Sequence, residues 1–146
     1  MIVTRIEPDT TPYEAATRLR YDALYREWGL PRSLTDDADA SAFTHIGAWD
    51  AGTLVGYARI DLTAEEPQIY QVSVARDRRG EGIGALLVRE LMGIARDAGR
   101  AEVFLDARVH VIGFYERLGF EAVGGEFLSK RTHTPHRRMR RSLEQG

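Results

Sequence analysis

Three glycines alternate through Arg79-Gly80-Glu81-Gly82-Ile83-Gly84, immediately ahead of the clearest helical stretch in the chain. Glycine at such a point leaves backbone amides unobstructed. The amides that open a helix are unsatisfied donors at the positive end of the aligned peptide dipoles. Their natural occupant is an anion such as a pyrophosphate, with Arg78 and Arg79 placed to add charge-assisted hydrogen bonds. A turn that needs glycine only to change direction is the alternative. That explanation suits one or two glycines better than three with two arginines ahead. A P-loop does not fit, because no lysine follows the glycines and Lys130 is the only lysine present. The dinucleotide fingerprint fits poorly too. Its third glycine is missing, the polar run from Ala75 to Arg79 is long for a strand-to-glycine turn, and only about forty residues follow Asp106.

The other reactive side chains narrow the chemistry further. There is no cysteine, which removes disulfide scaffolds, thiol nucleophiles and thiolate metal sites. His45, His110, His133 and His136 show no ligand spacing with carboxylates, so no metal is expected. The net charge of −2 gives no whole-molecule field favouring nucleic acid or an anionic membrane. The run Arg137-Arg138-Met139-Arg140-Arg141 sends its arginines to both faces of a strand with no aromatics interleaved. It therefore reads as a solvated terminal strand rather than a nucleic-acid contact. Asp36, Asp37 and Asp39 read as a solvated loop, one that could also attract a cationic acceptor.

The elements that must position these residues follow from patterning. At 146 residues, with 43% hydrophobic and 29% charged residues, the chain is expected to form one globular domain over 1–146. Met1 to Glu7 lacks the apolar stretch of a signal peptide and no window is long enough to span a membrane, so a soluble, cytoplasmic protein is expected. Ile2 to Ile6 alternates as a strand. Thr11 as N-cap, Pro12 at the first helical position and Glu14 as capping-box acid predict a helix running to about Trp28, ended by Gly29 and Pro31. Phe43–Trp49, Leu54–Leu62 and Gln68–Val74 read as strands, the first two joined by a hairpin turn. Ile83, Leu86, Leu87, Leu91, Ile94, Ala95 and Ala98 share a helix face, capped by Gly99. A short strand at Val103–Leu105, a helix at Val109–Leu118 and strands at Phe120–Val123 and His136–Leu143 complete the order. This predicts an α/β (α+β) fold with a mixed, mostly antiparallel sheet and helices on its faces.

The glycine turn, the strand Tyr70-Gln71-Val72-Ser73-Val74 before it and the segment Gly113-Phe114-Tyr115-Glu116-Arg117-Leu118-Gly119-Phe120 together resemble the GCN5-related N-acetyltransferase (GNAT) family. That family's pyrophosphate loop reads Arg/Gln-x-x-Gly-x-Gly/Ala, and its later motif resembles FYEKLGF. With the element order, the likeness covers nearly the whole chain. Thr134-Pro135-His136-Arg137-Arg138-Met139 further resembles the ending of the family's ElaA-type branch.

The resemblance implies acetyl transfer from acetyl-coenzyme A, as co-substrate, to a primary amine of a small molecule or protein. Transfer would be direct, in a ternary complex, since no Cys is available and no Ser is set up as a nucleophile. It implies that Val72, Ser73 and Val74 pair with the pantetheine arm, and that the turn Arg79, Gly80, Glu81, Gly82, Ile83, Gly84 and Ala85 holds the pyrophosphate. Tyr115 would protonate the departing thiolate; a core tyrosine on an amphipathic helix is the alternative. Arg108 stands where relatives carry Asn or Gln. Its guanidinium could reach a cofactor phosphate or ribose but cannot accept a hydrogen bond. The base that deprotonates the amine stays open among Glu65, Glu66, His110, His136 and a water chain. The resemblance leaves room for a homodimer. A non-catalytic acyl-CoA sensor or interaction module is the competing function.

Overall fold

Residues 1–35 and 40–144 are described by the computed structural model; the acidic cluster Asp36, Asp37 and Asp39 lies outside them. Seven strands form one sheet: β1 (Ile2–Ile6), β2 (Thr44–Asp50), β3 (Thr53–Asp61), β4 (Gln68–Val74), β5 (Glu102–Arg108), β6 (Glu121–Leu128) and β7 (Pro135–Ser142). Their spatial order is β1-β2-β3-β4-β5-β7-β6. Every neighbouring pair is antiparallel except β4 and β5. That one parallel pair needs a crossover, and α2 (Ile83–Asp97) is it. The expected mixed, mostly antiparallel sheet is what forms.

Successive residues of a strand face opposite sides, and β3 separates the helices that way. Ala58 and Ile60 join the core under α2, with Ile46, Ile69, Leu87, Val88 and Leu91. Tyr57 belongs to a second cluster with Ile6 and Ala16 of α1 (Thr11–Arg20), against which Tyr13 and Leu19 pack. Helices therefore cover both faces. Gly56 brings α2 close to the sheet: a Cβ there would lie 2.7 Å from Cγ2 of Ile83 and 2.9 Å from Cδ1 of Leu87. Gly56→Ala is accordingly expected to destabilise the fold by about 1–3 kcal/mol, read as a lower urea midpoint at unchanged slope.

The first helix departs from expectation at both ends. Its N-cap is Thr10, whose hydroxyl accepts from the amide of Tyr13 at 3.3 Å, so Glu14 sits one position too late for a capping box. The segment does reach Trp28, but in three hydrogen-bonding registers. α-Helix to Arg20 gives way to a π turn over Tyr21–Tyr25, then to a 3₁₀ turn over Arg26–Trp28, stopped by Gly29 at φ 66°. A π turn inserts a residue into the helix and is frequent at functional sites; here it lets Tyr25 be buried. The expected helix at Val109–Leu118 is a 3₁₀ turn over Val109–Val111 followed by α3 (Ile112–Arg117). β5 and β6 are both longer than expected, β6 continuing through Gly124 and Gly125 with a register irregularity between Val123 and Phe127.

Candidate active site

β4 and β5 part almost as soon as they meet. Only Gln68↔Phe104 and Ile69↔Leu105 are paired, so from Tyr70 onward β4 turns an open backbone edge towards a gap. On its other side the register with β3 steps from Tyr57↔Ser73 to Arg59↔Tyr70, leaving Gln71 and Val72 opposite the single residue Ala58. That is a β-bulge, which bends a strand and breaks its ladder. Gln71 takes φ 55°, a left-handed value uncommon outside glycine, and the Ser73 hydroxyl donates to its carbonyl at 2.8 Å. Val72, Ser73 and Val74 all line the resulting cleft of about 1380 Å³.

The glycine turn lies at the mouth of the same cleft. Gly80 and Gly82 have φ of 82° and 85°, and Gly82 caps α2 with no side-chain hydrogen bond to its opening amides. Those amides have no intrahelical acceptor either. Gly84 is buried, and a Cβ on it would lie 3.2 Å from Cζ of Phe114. The two arginines beside the turn are already engaged. Arg78 donates to both carboxylate oxygens of Glu81 at 3.0 Å and to Asp50 at 2.8 Å. The guanidinium of Arg79 reaches the carbonyl of Ala23 at 3.1 Å, tying the turn to the π segment. Glu81 therefore presents its amide rather than a free negative charge.

Tyr115 stands between Phe114 and Phe120, edge-on to both, with ring centroids 4.9 and 5.8 Å away. It lines the cleft, and its hydroxyl has no hydrogen-bond partner among the described residues. Burial pushes its phenol well above the ordinary tyrosine value. The group is an undissociated O–H at neutral pH.

The far wall of the cleft was poorly visible in the sequence. Gln71 holds it: the side-chain carbonyl accepts from Arg20 at 2.7 Å, and the side-chain amide donates to the Tyr25 hydroxyl at 3.3 Å. Arg108 donates to the carbonyl of Leu24 at 2.9 Å and lies over the Trp28 ring, 5.3 Å from its centroid. The His110 ring also lies against that indole, tilted, with centroids 5.9 Å apart. Arg108 is thus placed on the π-turn wall. Deeper in, Arg138 grips Asp106 at 2.7 and 3.1 Å, Gln68 at 3.1 Å and Glu66 at 3.0 Å. Of this wall the sequence singles out Arg108 alone, because Gln71, Tyr25 and Trp28 meet only through the fold.

The remaining candidates separate clearly. Glu66 is paired with Arg138, while Glu65 shows only a backbone carbonyl, bound by Arg100 at 2.8 Å. His136 donates from Nδ1 to the carbonyl of Thr134 at 2.9 Å, and both it and His110 line the cleft. Among the described residues no three metal-ligating side chains converge. The basic run on β7 is engaged within the fold: Arg140 pairs with Glu121 and Glu102, Arg137 bonds Gly124 and Arg141 bonds Leu118. No helix among the described residues is long and apolar enough to cross a membrane.

A mixed sheet split between β4 and β5, with a glycine turn opening the next helix at the split, defines the fold class of GNAT acyl-CoA N-acyltransferases. The chain belongs to the acetyltransferase (GNAT) family, whose sequence profile matches residues 3–120. It is similar to the N-alpha-acetyltransferase RimI of Mycobacterium tuberculosis, with 36% identity over 58% of this chain and 57% of that protein. It also resembles the streptothricin acetyltransferase of Streptomyces lavendulae, with 33% identity over 61% of this chain and 49% of the relative. The chain thus spans about half the length of these curated relatives. Among solved structures, ElaA of Escherichia coli superposes with a TM-score of 0.82 at 27% identity, covering 97% of this chain and 99% of that one. An aminoglycoside 6'-N-acetyltransferase complexed with coenzyme A superposes at 0.81 with 18% identity, covering 100% of this chain and 99% of that one, a likeness of fold.

Proposed function

We propose that this acyltransferase moves an acetyl group from acetyl-CoA to a primary amine by direct attack in a ternary complex. The parting of β4 from β5 beside the glycine turn carries this reading. An extended pantetheine arm fits an unpaired strand edge by backbone hydrogen bonding, as an added strand does. The edge belongs to Val72, Ser73 and Val74, and main-chain amides there are suited to stabilise the oxyanion of the tetrahedral intermediate. The pyrophosphate would take the amides from Gly80 to Ala85, with Arg79 alongside as a further cation.

The chemistry then needs one acid and one base. As the C–S bond breaks, the thiolate leaves with the bonding electron pair and takes a proton from the Tyr115 hydroxyl. The attacking nitrogen loses its extra proton to solvent or a cleft base. His136 is the better-formed base candidate, because its Nδ1–H bond to Thr134 leaves Nε2 as the lone-pair nitrogen. The reading also sets the location, the cytoplasm, where the thioester would have to be supplied.

Thermal unfolding tests the cofactor assignment. With acetyl-CoA at a hundred times Kd, the native state should gain about 2.7 kcal/mol, raising Tm by several degrees. An unmoved Tm together with no heat of binding would sink the proposal.

A further inference from the structure

Arg108 is a half-buried cation with no carboxylate partner among the described residues. Of its five N–H donors, one goes to the carbonyl of Leu24, and the others have no acceptor among the described residues. Burial pulls its pKa below the ordinary arginine value, an effect that Tyr25 and Glu27 only partly counter. Glu27 does not neutralise it: that carboxylate is exposed and pairs with Arg76 at 3.5 Å. Removing a cation from water without a counter-charge is costly, and a ligand anion is the kind of group that would offset it.

The charges around it are lopsided. Each acid on this side of the cleft is held by an arginine: Glu27 by Arg76, and both Glu66 and Asp106 by Arg138. Arg108 and Lys130, by contrast, line the cleft with no ion pair among the described residues. A second donor stands beside Arg108. The Tyr25 oxygen accepts from Gln71, so its own proton is left to point elsewhere, and Tyr25 lines the same cleft. Trp28, 48% exposed, adds apolar surface beside Arg108, and Phe127, 40% exposed, adds more to the same cleft from β6, where it pairs with His136, the β7 partner of Arg108.

Resting on the acetyl-transfer reading, we propose that the acceptor is a primary amine that also carries a carboxylate. The carboxylate is held by the Arg108 guanidinium with the Tyr25 hydroxyl as second donor, and the acceptor's apolar body lies against Trp28 and Phe127. A polycationic amine is the wrong charge for this wall.

Thiol release at saturating acetyl-CoA, with a panel of amino acids and their carboxamides as matched acceptors, tests it. The native protein should favour the acids by about tenfold or more in kcat/KM, the scale of charge-assisted hydrogen bonds. Arg108→Gln should erase that preference mainly through the acceptor KM, leaving the acetyl-CoA KM unchanged, and Arg108→Lys should keep part of it. A preference for the carboxamides overturns the proposal. So does a loss that falls on the acetyl-CoA KM, which would make Arg108 a cofactor ligand. Turnover of no amine at all would count against acetyl transfer rather than the carboxylate site. The native protein with coenzyme A, titrated calorimetrically with 3-phenylpropionate and 3-phenylpropionamide, then decides. Binding of the acid alone supports the site, and equal binding or none overturns it.

Discussion

Replacing Tyr115 by phenylalanine is expected to lower kcat by about 10²- to 10⁴-fold, the range for loss of a positioned general acid, with affinity for acetyl-CoA unchanged. The substitution removes only a hydroxyl that has no hydrogen-bond partner among the described residues, and it keeps the edge-on packing on Phe114 and Phe120. Stability should therefore stay within about 0.5 kcal/mol, so an activity loss cannot be assigned to unfolding. The pH dependence adds a sharper criterion. Burial raises the phenol above its ordinary value, so its proton is present at all lower pH and is lost only as pH rises past that raised value. An acid of this kind gives no titration in the neutral range. The variant's pH–rate profile should be scaled down without a change of shape, and any acid limb must belong to another group. Full kcat in the variant would return Tyr115 to the status of a core aromatic.

Gly82→Val should cost about a hundredfold or more in acetyl-CoA affinity, the equivalent of one to two charge-assisted hydrogen bonds. Gly82 sits at φ 85° and ψ 8°, with nothing within 4 Å of where a Cβ would stand. The strain is thus in the backbone and not in a clash. A β-branched residue is a genuine outlier at positive φ. The peptide would be expected to relieve the strain by rotating, which turns the amides at the start of α2 away from the pyrophosphate. Core residues of α2 such as Leu87 and Leu91 are untouched, so the loss of Tm should be small beside the loss of affinity. Gly93→Ala, in the middle of α2, is the control: no atom lies within 4 Å of its Cβ position, and it should stabilise by up to about 1 kcal/mol. Calorimetric titration of the two variants reads the difference. An unchanged Kd in Gly82→Val would mean that the pyrophosphate is held elsewhere.

The parts of the site legible in the sequence are those built from neighbouring residues. Gly80 and Gly82 announce an opened helix start because glycine takes their positive φ without steric cost, Gly84 because Phe114 leaves little room for a Cβ, and the apolar period of α2 marks what they precede. The bounds of β4 were legible for the same reason, as a run of β-branched and aromatic residues between turn signals. Where local signals compete, reading fails. Thr10 and Thr11 are equally good caps, and the choice went to the residue whose hydroxyl reaches the Tyr13 amide. Nothing in the spacing from Tyr21 to Tyr25 reveals a π turn.

What the chain alone determined, then, is a glycine turn with its backbone amides open, one amphipathic helix behind it and a phenol on another. What only the folded molecule decided is who stands next to whom. Arg78 looked like a phosphate ligand beside the glycines, yet Asp50, twenty-eight residues earlier, takes it up together with Glu81. Arg108 shows no neighbour in its local sequence that would fix it, and Leu24 and Trp28, some eighty positions away, are what its guanidinium meets in the fold. A guanidinium on a long flexible stem goes to whichever acceptor the tertiary packing brings within reach. A glycine's freedom to take a positive φ comes from its own missing Cβ and can be read without knowing its neighbours in space.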